Sequence, residues 1–144
     1  MSLNLQAIRE GLAAQIKARV ARSFNTDGYE GTAGTFPMIV IKPGNPYVTY
    51  HESFGDRALA GIELLIEVTT TAADGKSAYV VMDQVLSPGL SNTSSILEAV
   101  EADNTIGGLV ANVWISQVSA PSLDEFGHLV AELSCHVLAN KSTS

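Results

Sequence analysis

Ile62-Glu63-Leu64-Leu65-Ile66-Glu67-Val68-Thr69-Thr70-Thr71 is the stretch on which the fold turns. Ile62, Leu64, Ile66 and Val68 alternate with Glu63, Leu65, Glu67 and Thr69. A strand points successive side chains to opposite faces, so this run has one apolar face and one mixed face. The apolar face must be covered, and the natural cover is another layer of secondary structure. The rest of the chain is therefore read for neighbouring strands and for helices with an apolar stripe.

On the N-terminal side, Phe36 to Ile41 is rich in β-branched and aromatic residues and predicts a strand, with Pro37 near its start suiting an edge position. Pro43-Gly44-Asn45-Pro46 predicts a turn, and Tyr47 to Phe54 a second strand. Gly55 to Gly61, with Asp56 and Arg57, reads as an exposed hairpin tip leading into the strand 62–71. Residues 25–35 carry three glycines and several short polar side chains and predict a loop. It is not a phosphate-binding loop, because no Gly-Lys-Ser/Thr follows and no helix signal begins directly after it. Before it, Leu5, Ile8, Leu12, Ile16 and Val20 recur every three to four residues, the spacing of one helical face. Asn4 is a suitable N-cap, and Gln6, Arg9, Glu10, Lys17 and Arg22 are expected largely on the wet side.

On the C-terminal side, Asp74 is placed to cap a second helix with Ala78, Val81, Met82 and Val85 on one side, ended by Ser87-Pro88-Gly89. Ser95 and Glu98 have capping-box spacing for a short third helix bearing Ile96, Leu97 and Val100, which Gly107-Gly108 breaks. Leu109 to Val118 predicts a fourth strand with Leu109, Ala111, Val113 and Ile115 on one face and Trp114 on the other. Phe126 to Leu138 predicts a fifth, with Leu129, Ala131, Leu133, Cys135 and Val137 together. Ser119–Glu125, which contains Pro121, reads as a loop. The expected architecture is one α+β domain over residues 1–139, in the order α-β-β-β-α-α-β-β. Its sheet is mostly antiparallel, with about five strands and helices packed on one face, and residues 140–144 form a frayed tail.

Composition narrows the function. The chain has 144 residues, 46% hydrophobic and 16% charged, enough to bury a core. No apolar run approaches the roughly 18 residues needed to cross a bilayer, and residues 1–24 lack the apolar centre of a secretion signal, so neither a membrane protein nor a secreted one is expected. A single cysteine allows no internal disulfide and no cysteine zinc cluster, which fits a reducing cytoplasm. The net charge is −7. Residues 1–24 hold Arg9, Lys17, Arg19 and Arg22 against Glu10, giving +3; the other four basic and fourteen acidic residues leave −10. A body this acidic does not bind nucleic acid through neutralised phosphates.

Chemistry-bearing residues form no recognisable motif. Cys135 and His136 are adjacent on a strand and point to opposite faces, so they are no nucleophile–base pair, and Cys135 shares the apolar face. His128 and His136 share the other face, too far apart for one metal ion. His51, Glu52 and Asp56 lack zinc or EF-hand spacing. There is no nucleophile elbow, no Gly-x-Gly-x-x-Gly and no pair of carboxylic acids placed across a cleft. The expectation is therefore a protein that is not an enzyme, with no catalytic residue, no metal and no cofactor. The mixed sheet face, with Tyr50, Phe54, Leu65, Trp114, Val118 and Leu138 beside charges, needs a second cover, either helices or another subunit.

The elements taken together resemble a known family. The segments that carry the resemblance are Leu5-Gln6-Ala7-Ile8-Arg9-Glu10-Gly11-Leu12-Ala13, Pro37-Met38-Ile39-Val40-Ile41 with the Pro-Gly turn after it, and the strand 62–71 running straight into the helix 74–86. They continue with Ile96-Leu97-Glu98-Ala99-Val100-Glu101-Ala102-Asp103, Thr105-Ile106-Gly107-Gly108-Leu109-Val110 and the two closing strands. In order and spacing, from about residue 3 to 139, they resemble the tail terminator (tail completion) proteins of long-tailed bacteriophages, particularly those infecting actinobacteria. The resemblance implies a virion protein made in the host cytoplasm, a homohexameric ring on the tail tube. Such a ring stops tube polymerisation and offers a docking face to the head–tail connector, and DNA passes through its bore without specific binding. A head–tail connector or neck ring protein of the same particle is the alternative. Candidates for the subunit or ring interface are Phe54, Gly55, Asp56 and Arg57 at the tip and Arg19 and Arg22 at the end of the first helix. Glu63 and Glu67 are candidates for an acidic lumen or inter-subunit position.

Overall fold

The computed structural model describes residues 4–20, 25–29, 37–49, 59–71, 75–89, 91–125 and 127–140. At its centre the strand read first, β3 (Leu59–Thr71), pairs antiparallel over its whole length with β6 (His128–Asn140), from Leu59 opposite Asn140 to Thr71 opposite His128. Directly opposed residues lie on the same face. The pairs Ile62–Val137, Leu64–Cys135, Ile66–Leu133 and Val68–Ala131 therefore make one apolar surface, and all eight side chains are buried. Each large aliphatic group buried this way contributes about 1.5–3 kcal/mol.

The other elements are arranged around this pair. They are α1 (Leu5–Arg19), β1 (Asn25–Asp27), β2 (Met38–Thr49), α2 (Gly75–Leu86), α3 (Ile96–Glu101), β4 (Asn112–Val118) and β5 (Ser122–Leu123). The sheet order is β1-β2-β3-β6-β4, with β5 also on β6; β1 runs parallel to β2 and every other pair is antiparallel. Apolar residues of all three helices, among them Leu12, Ile16, Met82, Val85, Ile96 and Val100, join the sheet's inner face in one core. The fold is α+β with helices on one face of a mostly antiparallel sheet, as expected.

Several boundaries differ from the sequence reading, each for a local reason. Pro43–Pro46 is not a turn. Phe36–Ile41 and Tyr47–Phe54 were expected as two strands, yet β2 runs through as one, with a bulge that sets four residues, 44–47, opposite Glu63 alone. The Asn45–Pro46 peptide is cis, and two prolines without N–H groups are tolerated where the ladder is interrupted. A Cβ on Gly44 would sit 2.8 Å from the Glu63 Cβ, so only glycine lets the bulge lie this close to β3. The expected loop from residue 25 begins with β1, and β5 lies inside the expected loop 119–125. β4 starts at Asn112, not Leu109, because turns fill 102–109. Ile106, Gly107 and Gly108 all have positive φ there, and Leu109 and Ala111 are exposed. A register shift between Ile115 and Gln117 sets Val118 opposite the inner-face residue Leu133, not on the mixed face. Asn140, expected in the frayed tail, still belongs to β6, and residues 141–144 lie outside the described residues.

Two of the expected helix caps follow the expected chemistry, and the third, Asp74, lies outside the described residues. Asn4 accepts the Ala7 N–H at 3.0 Å and Ser95 accepts the Glu98 N–H at 3.2 Å. Arg9 departs from expectation. The helical spacing puts it on the wet side of α1, yet it is buried, only 7% exposed. Its guanidinium donates to the carbonyls of Gly28 (2.8 Å) and Ile41 (2.6 Å) and to the Tyr47 hydroxyl (3.3 Å), and lies 4.2 Å from the centre of the Tyr29 ring. One side chain thus ties α1 to β2 and to the residues after β1. A five-donor fork suits this, since its geometry reaches several acceptors at once. Arg9→Met leaves two buried carbonyls without a donor and is expected to cost about 2–4 kcal/mol in urea unfolding. Arg9→Lys, with one compact ammonium, should recover only part of that; a loss under about 0.5 kcal/mol for Arg9→Met would contradict the clamp.

Candidate functional site on the outer sheet face

No described helix packs on the outer face of the sheet, which carries the residues alternating with the core: Lys42, Glu63, Leu65, Glu67, Trp114, Glu132, Ser134, His136 and Leu138. Leu65, Trp114 and Leu138 are half-buried even so. Two polar clusters sit among them.

The first is built on β2, β3 and β6. The cross-strand register sets Glu67 opposite Glu132, two like charges side by side. Lys42 resolves the conflict, with Nζ 3.0 Å from Glu67 and 3.3 Å from Glu132. The Glu67 hydrogen bond, ahead of its charge and of Glu132, holds the ammonium above the ordinary lysine value.

The second is built on β3, β6 and β4. Glu63 and His136 are directly opposed, and His136 Nδ1 lies 2.5 Å from Glu63 Oε2. His136 Nε2 lies 2.6 Å from Ser116 Oγ. A carboxylate only accepts, so Nδ1 is the nitrogen that donates to Glu63; when the imidazole is neutral, Nε2 is left as the acceptor for the serine hydroxyl. Trp114, opposite His136 on β4, stacks on the imidazole with ring centres 5.4 Å apart. The three polar residues line one groove of about 540 Å3, whose far wall is the β2 bulge, Gly44-Asn45-Pro46. A second groove, of about 650 Å3, lies beside the end of α2 and is lined by Asp83, Ser87, Asn92 and neighbours, with no histidine, lysine or arginine among them.

Of the residues singled out by sequence, Glu63 and Glu67 lie on the outer face and each is engaged within the chain, by His136 and Lys42 respectively. Arg19 is exposed in the last turn of α1, near enough to Asp103 to favour its ionised form, although the larger causes there are N–H and hydroxyl donors from Gly107 and Thr105. Phe54, Gly55, Asp56, Arg57 and Arg22 lie outside the described residues, as do His51 and Glu52. Among the described residues no group of three His, Cys, Asp or Glu side chains is placed to hold a metal ion, and no helix is long and apolar enough to cross a membrane. His128 and His136 share the outer face as expected, each with its own acidic neighbour, Asp124 and Glu63. The Ser116–His136–Glu63 set was not anticipated, because it depends on a strand pairing and a register shift that no local spacing encodes.

No protein-family model matches this chain, and no curated protein matches it. Among solved structures it is similar to a chain described as "Virion of native gene transfer agent (GTA) particle", at 16% identity and a TM-score of 0.42, with 90% of this chain and 84% of that chain covered.

Two measurements check the electrostatics. Cys135 is fully buried and desolvation raises its thiol far above the usual range. It should resist a thiol-specific disulfide reagent at pH 8 in the native protein and react stoichiometrically once unfolded, whereas fast native labelling would mean the β4–β6 region opens readily. The Lys42 pKa is raised on folding, so its contribution is complete below the ordinary lysine value and is lost as pH rises through the folded one. Lys42→Gln should lower stability by up to about 1 kcal/mol near pH 7, with the gap to wild type closing above about pH 10.5. A gap that stays constant to pH 12 would rule out this ion pair as its source.

Proposed function

We propose that this chain is a structural virion protein that assembles as a homohexameric ring on a phage tail tube. There it ends tube polymerisation and presents a docking face to the head-side connector, at the head–tail junction. One observation carries the reading. Among the described residues the helices cover only one face of the sheet, and the other face leaves Leu65, Trp114 and Leu138 half-buried without a second layer of its own. A neighbouring subunit is a natural cover for such a face. The order and spacing of elements shared with tail terminators support the same reading. A head-to-tail interface whose rotation closes gives a ring, and it needs two different surfaces on one chain. The outer sheet face and the basic end of α1, with Lys17 and Arg19 exposed, are two such surfaces.

Charge supports the passage of DNA. Six copies carry six times −7, and an acidic bore does not hold phosphates. Glu63 and Glu67 remain our candidates for the bore or for contacts between subunits, and the tip residues Phe54–Arg57 for contacts with the next ring. The role itself requires no cofactor and no turnover.

The test is to add the purified protein to polymerising tail tubes and to image both by negative-stain microscopy. The expected result is a ring of hexamer size seated on one tube end and a narrow distribution of tube lengths. Tubes that keep growing, with the protein bound only to isolated connector complexes, would overturn the terminator role in favour of a neck ring. No binding to either would remove the virion reading altogether.

A further inference from the structure

Ser116, His136 and Glu63 form a chain of short hydrogen bonds that no structural role described above requires. Glu63 Oε2 is 2.5 Å from His136 Nδ1, and His136 Nε2 is 2.6 Å from Ser116 Oγ. These are the contacts by which a carboxylate fixes the tautomer of an imidazole and the imidazole takes up a hydroxyl proton. Three further observations make this a site and not only a polar cluster. The residues come from three neighbouring strands, β4, β6 and β3, so the paired backbone holds their relative positions. The ring of Trp114, stacked on His136, restrains the imidazole from one side. Ser116 falls in the register shift of β4, without a cross-strand partner of its own, and opens on the groove that Leu65 and the Gly44-Asn45-Pro46 bulge wall in.

We propose that Ser116 is an activated nucleophile, with His136 as its general base and Glu63 as the residue that positions His136. The inference is independent of the ring reading. The substrate class is small esters with a good leaving group, such as aryl esters, since the groove of about 540 Å3 accepts a ligand of that size. In the reaction Ser116 Oγ bonds to the acyl carbon while its proton passes to His136 Nε2. The bond from the acyl carbon to the aryl oxygen then breaks, and the phenolate leaves with that proton. Water repeats the sequence on the acyl-serine: its oxygen bonds to the acyl carbon, His136 takes its proton, and Ser116 Oγ leaves and is reprotonated. A carboxylic acid and a phenol are the products, and no other reactant is needed.

A fluorophosphonate probe tests this without knowledge of a natural substrate, because Ser116 Oγ displaces fluoride from phosphorus and the adduct is permanent. Intact-mass spectrometry of the full chain should show one adduct, and peptide mapping should place it on Ser116. Ser116→Ala should abolish it. His136→Gln should slow labelling by about a hundredfold, the usual scale of general-base assistance. Glu63→Gln should slow it by about tenfold and change the pH profile of the labelling rate, which a merely structural contact would leave unmoved. Thermal melts of each variant separate loss of folding from loss of reactivity; Ser116 is exposed, so Ser116→Ala should melt with wild type. No adduct on the wild-type chain, an adduct at another residue, or wild-type labelling of a folded His136→Gln variant would each overturn the proposal.

Discussion

The antiparallel register of β3 on β6 is the constraint on which both faces of the molecule depend. Side chains alternate with a period of two, so one pairing fixes two surfaces at once. With Ile66 opposite Leu133, the buried pairs Ile62–Val137, Leu64–Cys135 and Val68–Ala131 follow, and the helices have a continuous apolar sheet to cover. The same pairing sets Glu63 opposite His136 and Glu67 opposite Glu132 on the other side. A slip of one residue would move the aliphatic groups into water and the carboxylates into the core. The cost of that exchange, several large side chains at about 1.5–3 kcal/mol each, protects the outer-face geometry as firmly as it protects the core.

Two interruptions shape what the regular sheet alone would leave flat. The four residues 44–47 crowd opposite Glu63 in β2, and the register shift at Ser116 interrupts β4. Together they flank the Glu63–His136 pair and turn a polar patch into a groove. The β2 bulge is held from the inside. Arg9 binds the Ile41 carbonyl before it and the Tyr47 hydroxyl at its end, so a buried cation on α1 braces the strand whose irregularity forms the wall. Gly44 is what allows that wall to approach, since its backbone lies against Glu63 where a Cβ would collide. Packing on one side of the sheet thereby reaches the chemistry on the other.

A ring subunit and a reactive serine are compatible on this scaffold because they draw on different properties of one surface. Assembly needs area, shape and charge, which the half-buried Leu65, Trp114 and Leu138 and the acidic body supply. Nucleophilic reactivity needs three side chains linked in sequence at hydrogen-bond distance, which the strand register supplies. If the outer face is the one that a neighbouring subunit covers in the proposed ring, Ser116 is open in the free chain and covered after assembly, so the two properties belong to two states of one chain.

Much of this was legible in the sequence. The alternation of Ile62 to Thr71 and of Leu129 to Val137, the stripe Leu5 to Val20 and the caps Asn4 and Ser95 are local signals. Local physics, a period of two or 3.6 and a side-chain oxygen near free N–H groups, is enough to set them. Buried Cys135 follows from the same patterns, whereas the sequence left open whether helices or another subunit cover the mixed face. The merging of two expected strands through Pro43–Pro46, the burial of Arg9 and the Ser116–His136–Glu63 alignment were not legible. Each rests on which strand lies beside which and in what register, a choice made by burial summed over the whole sheet, and residues separated by 19 positions or more meet only after it is made.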